Sequence, residues 1–176
     1  MDTFKAIEAR YSYRGHFKPG RIPRRHLKRI VSAGLKAPSA CNEQTTTFVI
    51  ADGEIQLTAL RKLHPMSAMQ DARALIACVT STKPRAVYHE WNFEAEDCAA
   101  AIMNIWLAAT ALGYASVWID GHLRIGKRAE AFNRILGVPR GRTVRVILPL
   151  GIPVGPGERR KKKPFGQRAW FNRHGR

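Results

Sequence analysis

Apolar residues recur along this chain with two periods, and the change from one to the other predicts its elements. Asp2–Ala9 reads as a short helix with Phe4, Ala6 and Ile7 on one face. A second helix opens at Ile22-Pro23, where the missing proline N–H costs nothing in a first turn. Leu27, Ile30, Val31, Gly34 and Leu35 continue it at helical spacing until Pro38 stops it. Thr45–Ala51 is β-branched and apolar and runs into the Asp52-Gly53 turn, which predicts a strand. Ile55–Leu63 reads as helix, and the unbroken apolar run Ala74–Thr80 as a strand covered on both faces.

Asn92–Leu112 is the strongest helix. Glu94, Glu96 and Asp97 stand near its start, where the helix dipole favours negative charge. From Cys98 onward it is apolar nearly all round, so it must be buried. In so short a chain, that predicts burial against a partner subunit as well as its own sheet. Gly113 caps it, Ser116–Ile119 is a short strand, and Ile125, Ala129, Phe132, Ile135 and Leu136 mark another helix that stops at Gly137 and Pro139. Thr143–Leu150 is the last clear strand, and a Gly/Pro/basic tail segment follows at about 152–164. Gly155–Pro164 and Asn172–Arg176 have the composition of disordered segments. About five helices and four strands, intermixed, are expected in one domain spanning residues 1–176.

Composition narrows the class. The chain has 176 residues, 45% hydrophobic and 24% charged, which is a globular balance. No apolar signal run opens it, and Cys98–Leu112 is shorter than the roughly 20 residues a membrane helix needs, so a cytoplasmic protein with no membrane partner is expected. Cys41, Cys78 and Cys98 have no metal or redox spacing and read as free thiols. The net charge is +17, from 30 Lys+Arg against 13 Asp+Glu. That raises a nucleic-acid reading, but no helix-turn-helix, zinc-finger or RNA-recognition signature accompanies the charge. The Rossmann and Walker A fingerprints are absent, the six histidines are scattered, and no metal ligand set is seen.

Four segments carry candidate chemistry. In Arg10-Tyr11-Ser12-Tyr13-Arg14, an extended backbone points residues 10, 12 and 14 the same way, which sets two guanidinium groups and a hydroxyl on one side. Arginine forks match phosphate and carbonyl acceptors. Ala37-Pro38-Ser39-Ala40-Cys41-Asn42-Glu43-Gln44 stops a helix and offers hydroxyl and amide groups, with no base partner for Ser39. Glu96-Asp97 leads through the buried helix to Leu112–Gly121, where Gly121 can let backbone approach a flat ligand. Pro149–Pro153 and then Arg159–Phe165 form the basic tail.

Taken in order, these segments resemble the nitroreductase family of flavoproteins, over Phe4 to Phe171. The Ala37–Gln44 and Leu112–Gly121 blocks are its most specific parts. The resemblance implies an α+β fold: a three-layer α/β/α arrangement with a central, mostly antiparallel sheet, in an intertwined homodimer that holds FMN at each of two interface sites. Carried over by position, Arg10, Ser12 and Arg14 would hold the pyrimidine edge and phosphate. Pro38, Ser39 and Asn42 would reach the flavin from the other subunit. The backbone of Asp120 and Gly121 would approach N5 and O4, and Arg160 and Lys162 would stand near the phosphate. The activity implied is an oxidoreductase in which NAD(P)H delivers hydride to the FMN N5. A small electron-poor acceptor, a nitroaromatic or a quinone, is then reduced in ping-pong fashion, with no catalytic side chain.

Thr45-Thr46 stands where many relatives carry Pro-Trp, and Arg61–Arg73 has no clear match to the polar flavin contacts of larger members. These departures bear on the acceptor more than on FMN. Two alternatives follow: a flavoprotein of the same fold with another reaction, such as dehydrogenation or dehalogenation, and a basic nucleic-acid-associated protein on that fold.

Overall fold

A computed structural model describes residues 1–175. Arg176, the end of the tail whose composition suggested disorder, lies outside the described residues. The helices are α1 (Thr3–Ala9), α2 (Arg24–Gly34), α3 (Glu54–Arg61), α4 (Ser67–Gln70), α5 (Glu94–Ala111) and α6 (Arg128–Leu136). The strands are β1 (Thr47–Ala51), β2 (Ala74–Ser81), β3 (Ala115–Ser116) and β4 (Arg142–Gly151). They form one sheet in the order β1-β2-β4-β3, and every neighbouring pair is antiparallel.

The expected three layers are present. On one face of the sheet, Leu57 and Leu60 of α3, Met69 of α4 and Phe132 of α6 pack on Leu75, Ala77 and Val79 of β2. On the other, Leu27, Ile30 and Val31 of α2 and Cys98, Ile102 and Ile105 of α5 pack on Ile76 and Cys78. Strand β2 can serve both layers because its alternate residues point to opposite faces, which is why an unbroken apolar run marks it.

Local sequence explains several boundaries. Asp2 accepts the Lys5 N–H at 3.0 Å and caps α1. Gly137 ends α6 at φ 65, a left-handed position that suits glycine. Gly34 lies where α2 crosses α5, and a Cβ there would sit 2.5 Å from Ile105 Cγ1 and 3.2 Å from the Ala101 carbonyl. The helices approach this closely only because that side chain is absent.

Some expectations are corrected. Leu35 lies just past α2 and is exposed, and Ile125 precedes α6 and is exposed, because each helix is shorter than the apolar periodicity implied. The Ser116–Ile119 strand shrinks to two residues plus one bridge from Ile119 to Ile147. The short α4 had no periodic signal. Within one chain α5 is covered on one side only: Ala101, Ile102, Ile105 and Ala109 are buried, while Ala100, Met103, Leu107 and Ala108 are half-exposed. Phe4 and Ile7 of α1, expected on a packed face, are 80% and 50% exposed.

The Gly155–Pro164 stretch is not a free tail. After β4 the chain turns back along the N-terminal loop, with Lys18 N–H donating to the Ile152 carbonyl (2.8 Å) and Val154 N–H to the His16 carbonyl (3.0 Å). Within the stretch itself, Gly157 N–H donates to the Tyr11 hydroxyl at 3.1 Å and the Arg159 guanidinium donates to the Glu8 and Ala9 carbonyls at 2.9 and 3.0 Å.

Gly34→Ala is expected to destabilise the fold by about 1–3 kcal/mol through overpacking against Ile105. Urea denaturation followed by circular dichroism measures it, and an unchanged midpoint would show that the α2–α5 crossing has slack.

Candidate functional site

The Arg10–Arg14 loop is held in place by the sheet edge. Tyr13 N–H donates to the Ser116 carbonyl at 2.8 Å, and Ser12 pairs with Ser116 in a parallel bridge. Tyr13 itself is buried against Phe17, and its hydroxyl donates to the His16 carbonyl at 2.7 Å. With residue 13 turned inward, residues 10, 12 and 14 are left to face the other way. Arg10 lays its guanidinium over the Trp106 ring of α5, 4.6 Å from the centroid, which fixes its direction while leaving its N–H groups available.

The tail completes the wall. The Tyr11 hydroxyl accepts the Gly157 N–H at 3.1 Å. Gly157 is pressed so close that a Cβ would meet the Tyr11 ring, with Tyr13 Cδ2 at 2.9 Å. Arg159 then stacks over Tyr11, 4.9 Å from its centroid, and donates to the Glu8 and Ala9 carbonyls at 2.9 and 3.0 Å. Those are free carbonyls at the end of α1, where a cation is favoured.

Together these contacts form a cavity of about 640 Å³ lined by Arg10, Ser12 and Arg14 from the first loop and by Arg159, Arg160 and Lys162 from the tail. Five of the ten residues singled out from sequence therefore meet in one place. Their positive charge is weakly neutralised: Glu158 approaches only Arg160, at 3.9 Å, with both side chains exposed. Such a cavity suits a phosphorylated molecule of small-cofactor size.

The other five lie elsewhere. Pro38, Ser39 and Asn42 sit past the end of α2, where Ala40 N–H donates to Asp97 Oδ1 at 3.0 Å and Gln44 N–H to Ser39 Oγ at 3.0 Å. Cys41, Asn42 and Gln44 have φ of 49, 56 and 50, so this short loop concentrates left-handed, non-glycine backbone. Such positions persist only where their surroundings hold them, and Asp97 anchors the loop at Ala40 while Ser39 ties it at Gln44. Asp97 and Trp106 are nine residues apart on α5, about 14 Å along a helix axis. A single chain thus keeps the 38–42 loop away from the Arg10 cavity.

Asp120 and Gly121 follow β3, the strand to which Ser12 is bridged. Asp120 is paired with Arg124 at 3.0 Å, and Gly121 is exposed. A Cβ at Gly121 would meet nothing within 4 Å, so packing within the chain does not demand a glycine there. Next to it, His122 Nε2 donates to the Leu63 carbonyl at 2.9 Å and its Nδ1 accepts from Arg128 at 3.0 Å. The His64 ring lies 4.1 Å from that of His122. Burial, reinforced by His122 and Arg128, lowers the His64 pKa below its usual value. His64 is therefore neutral at pH 7.

Sequence reasoning missed Tyr11, Trp106, Gly157 and Arg159, which aim the cavity's cations without a motif of their own. The tyrosines flanking Ser12 were the only available signal.

Comparison with known proteins bears on the family and the fold. The family model described as the nitroreductase family matches residues 7–86 and 56–152. A Methanothermobacter thermautotrophicus protein, provisionally named NADH dehydrogenase/NAD(P)H nitroreductase, is 32% identical over 162 residues, which cover 90% of this chain and 82% of that protein. The crystal structure of a Bacteroides fragilis nitroreductase with bound FMN is similar at a TM-score of 0.72 and 25% identity, covering 93% of this chain and 95% of that one. A Parabacteroides distasonis structure with the same provisional name shares the fold at a TM-score of 0.80 and 24% identity, covering 97% of each chain.

Arg159→Gln is expected to release the tail from α1. Limited trypsin digestion at Lys161–Lys163 should then proceed about tenfold faster, as local opening costs less. An unchanged digestion rate would mean that other contacts hold the tail.

Proposed function

Because this chain belongs to the nitroreductase family, we propose that it binds FMN in the Arg10 cavity and uses NAD(P)H to reduce small electron-poor acceptors such as nitroaromatics and quinones. The observation that carries this reading is the meeting of Arg10, Ser12 and Arg14 with Arg160 and Lys162 around one space of about 640 Å³. The donor set fits the group: several cations and a hydroxyl for a phosphate, and forked guanidinium groups for ring carbonyls.

When bound, the flavin supplies hydride acceptance and donation at its N5. The roles proposed for the chain's residues are those the family resemblance implies. Arg160 and Lys162 neutralise the phosphate. Arg10, braced on Trp106, and Arg14 direct positive charge toward the pyrimidine edge. Ser12 donates its hydroxyl. Asp120 and Gly121 would bring backbone toward the flavin ring, and a glycine that its own chain does not require there would suit close approach of a flat ring. No side chain is assigned proton transfer.

The 38–42 loop enters from a second copy in this reading, so Pro38, Ser39 and Asn42 border the ring of the partner's cofactor. The half-exposed side of α5 and the exposed Phe4 and Ile7 supply apolar surface for the homodimer that such sharing needs.

The purified protein is expected to be yellow, with one FMN per chain, and to bleach on anaerobic addition of NADH or NADPH. The double variant Arg160→Gln/Lys162→Gln should bind FMN at least about tenfold more weakly, while riboflavin, which lacks the phosphate, binds as it does to the parent. A colourless protein that takes up no FMN on reconstitution would overturn the proposal, and equal losses for both flavins would move the phosphate away from the tail.

A further inference from the structure

A second cavity, of about 570 Å³, lies between the start of α5 and α6 at the end of the sheet and shares no lining residue with the Arg10 cavity. Its wall includes Arg145 of β4. In the β2–β4 ladder Cys78 faces Val146 and Val79 faces Val144, so Arg145 is the residue left without a partner. This is a β-bulge, a device that bends a strand and re-aims one side chain. The faces agree: Val144 and Ile147 pack in one apolar layer, Val146 and Leu148 in the other.

Arg145 is half-buried, and neither its guanidinium nor the Lys127 ammonium, which lines the same cavity, takes part in a hydrogen bond or ion pair among the described residues. Of the polar side chains in the same wall, Glu94 and Asn133 are engaged elsewhere, and Glu130 forms no ion pair with either cation among the described residues. Glu94 Oε2 accepts the Ser81 N–H at 2.7 Å, and Asn133 is spent on the Val144 N–H and the Thr143 hydroxyl. Glu130, exposed, sits within the solvated wall. A half-buried guanidinium gives up hydration that a matching anion would replace. Pro84, Ala95 and Ala129 add apolar lining.

We propose that this cavity is a binding site for a small organic carboxylate with an apolar body. The carboxylate pairs with Arg145, Lys127 supplies the second charge, and the body rests on Pro84, Ala95 and Ala129. The site is independent of the flavin reading, because it uses none of the residues assigned to the cofactor.

The test is a thermal-melt titration of the FMN-saturated protein with benzoate, with acetate and inorganic phosphate as comparison anions at constant ionic strength. A ligand that binds only the folded state raises the melting temperature in a saturable way. Benzoate is expected to saturate, with acetate and phosphate at least about tenfold weaker. Arg145→Gln should weaken benzoate by about tenfold or more. Lys127→Gln, at an exposed position, should weaken it by a smaller factor, and Lys28→Gln, on the exposed face of α2, should leave it unchanged. No saturable benzoate response, or equal responses from the parent and both the Arg145 and Lys127 variants, would overturn the proposal. Phosphate binding as tightly as benzoate would overturn the organic ligand. If the protein takes up no FMN, the same titration on the protein as purified tests the carboxylate site alone, so the two readings fail separately.

Discussion

The return of the chain's last segment onto its first twenty residues is what makes a site out of scattered cations. Phe17 pairs with Pro153, His16 receives the Val154 N–H, Tyr11 receives that of Gly157, and Arg159 closes on the carbonyls at the end of α1. Each bond is worth about 1 kcal/mol on its own, but they lie in series along one strap and act on the same two backbones. Without them Arg160 and Lys162 would be solvated side chains on a loose tail. With them, both stand across a cavity from Arg10 and Arg14.

This division of labour uses identical chemistry for different ends. Arg159 and Arg160 are neighbours, yet Arg159 is committed to two carbonyls and an aromatic face while Arg160 keeps only a distant acid. Arg10 is braced on Trp106, and Arg145 is turned out of its ladder by a bulge. A guanidinium can be spent on structure or kept for a ligand, and its partners decide which. The +17 net charge therefore does not act as one property of the surface. Part of it staples backbone, part lines cavities, and part of it, as on Arg25 and Lys28 of α2, faces solvent.

The sheet supplies the rigid reference. Strand β2 is buried along almost its whole length and paired on both sides, so the elements that carry site residues hang from a fixed centre. β3 takes the Arg10–Arg14 loop on one side and continues toward Asp120 and Gly121 on the other. Helix α5 spans the same layer, holding Arg10 through Trp106 near its end and the strained 38–44 loop through Asp97 near its start.

Periodicity along the chain was enough to place α2, α3, α5, β2 and β4, because each buries a regular stripe or a continuous run, and burial leaves its period in the residues; β1, where only Ala51 is buried, was legible from its β-branched composition and the turn after it. Arg10, Ser12, Arg14, Arg160 and Lys162 were marked by the resemblance to the nitroreductase family; by spacing alone the first three read as a solvated loop and the last two as part of a basic tail. The sequence could not show that the tail is a strap, because glycine and proline carry turns and loose chain with the same composition. Nor could it show that Arg159 would be spent on carbonyls, or that Arg145 differs from any other strand residue. Those differences arise from which carbonyl, ring or empty space lies within a few ångströms, and such neighbours are brought together only when distant segments pack.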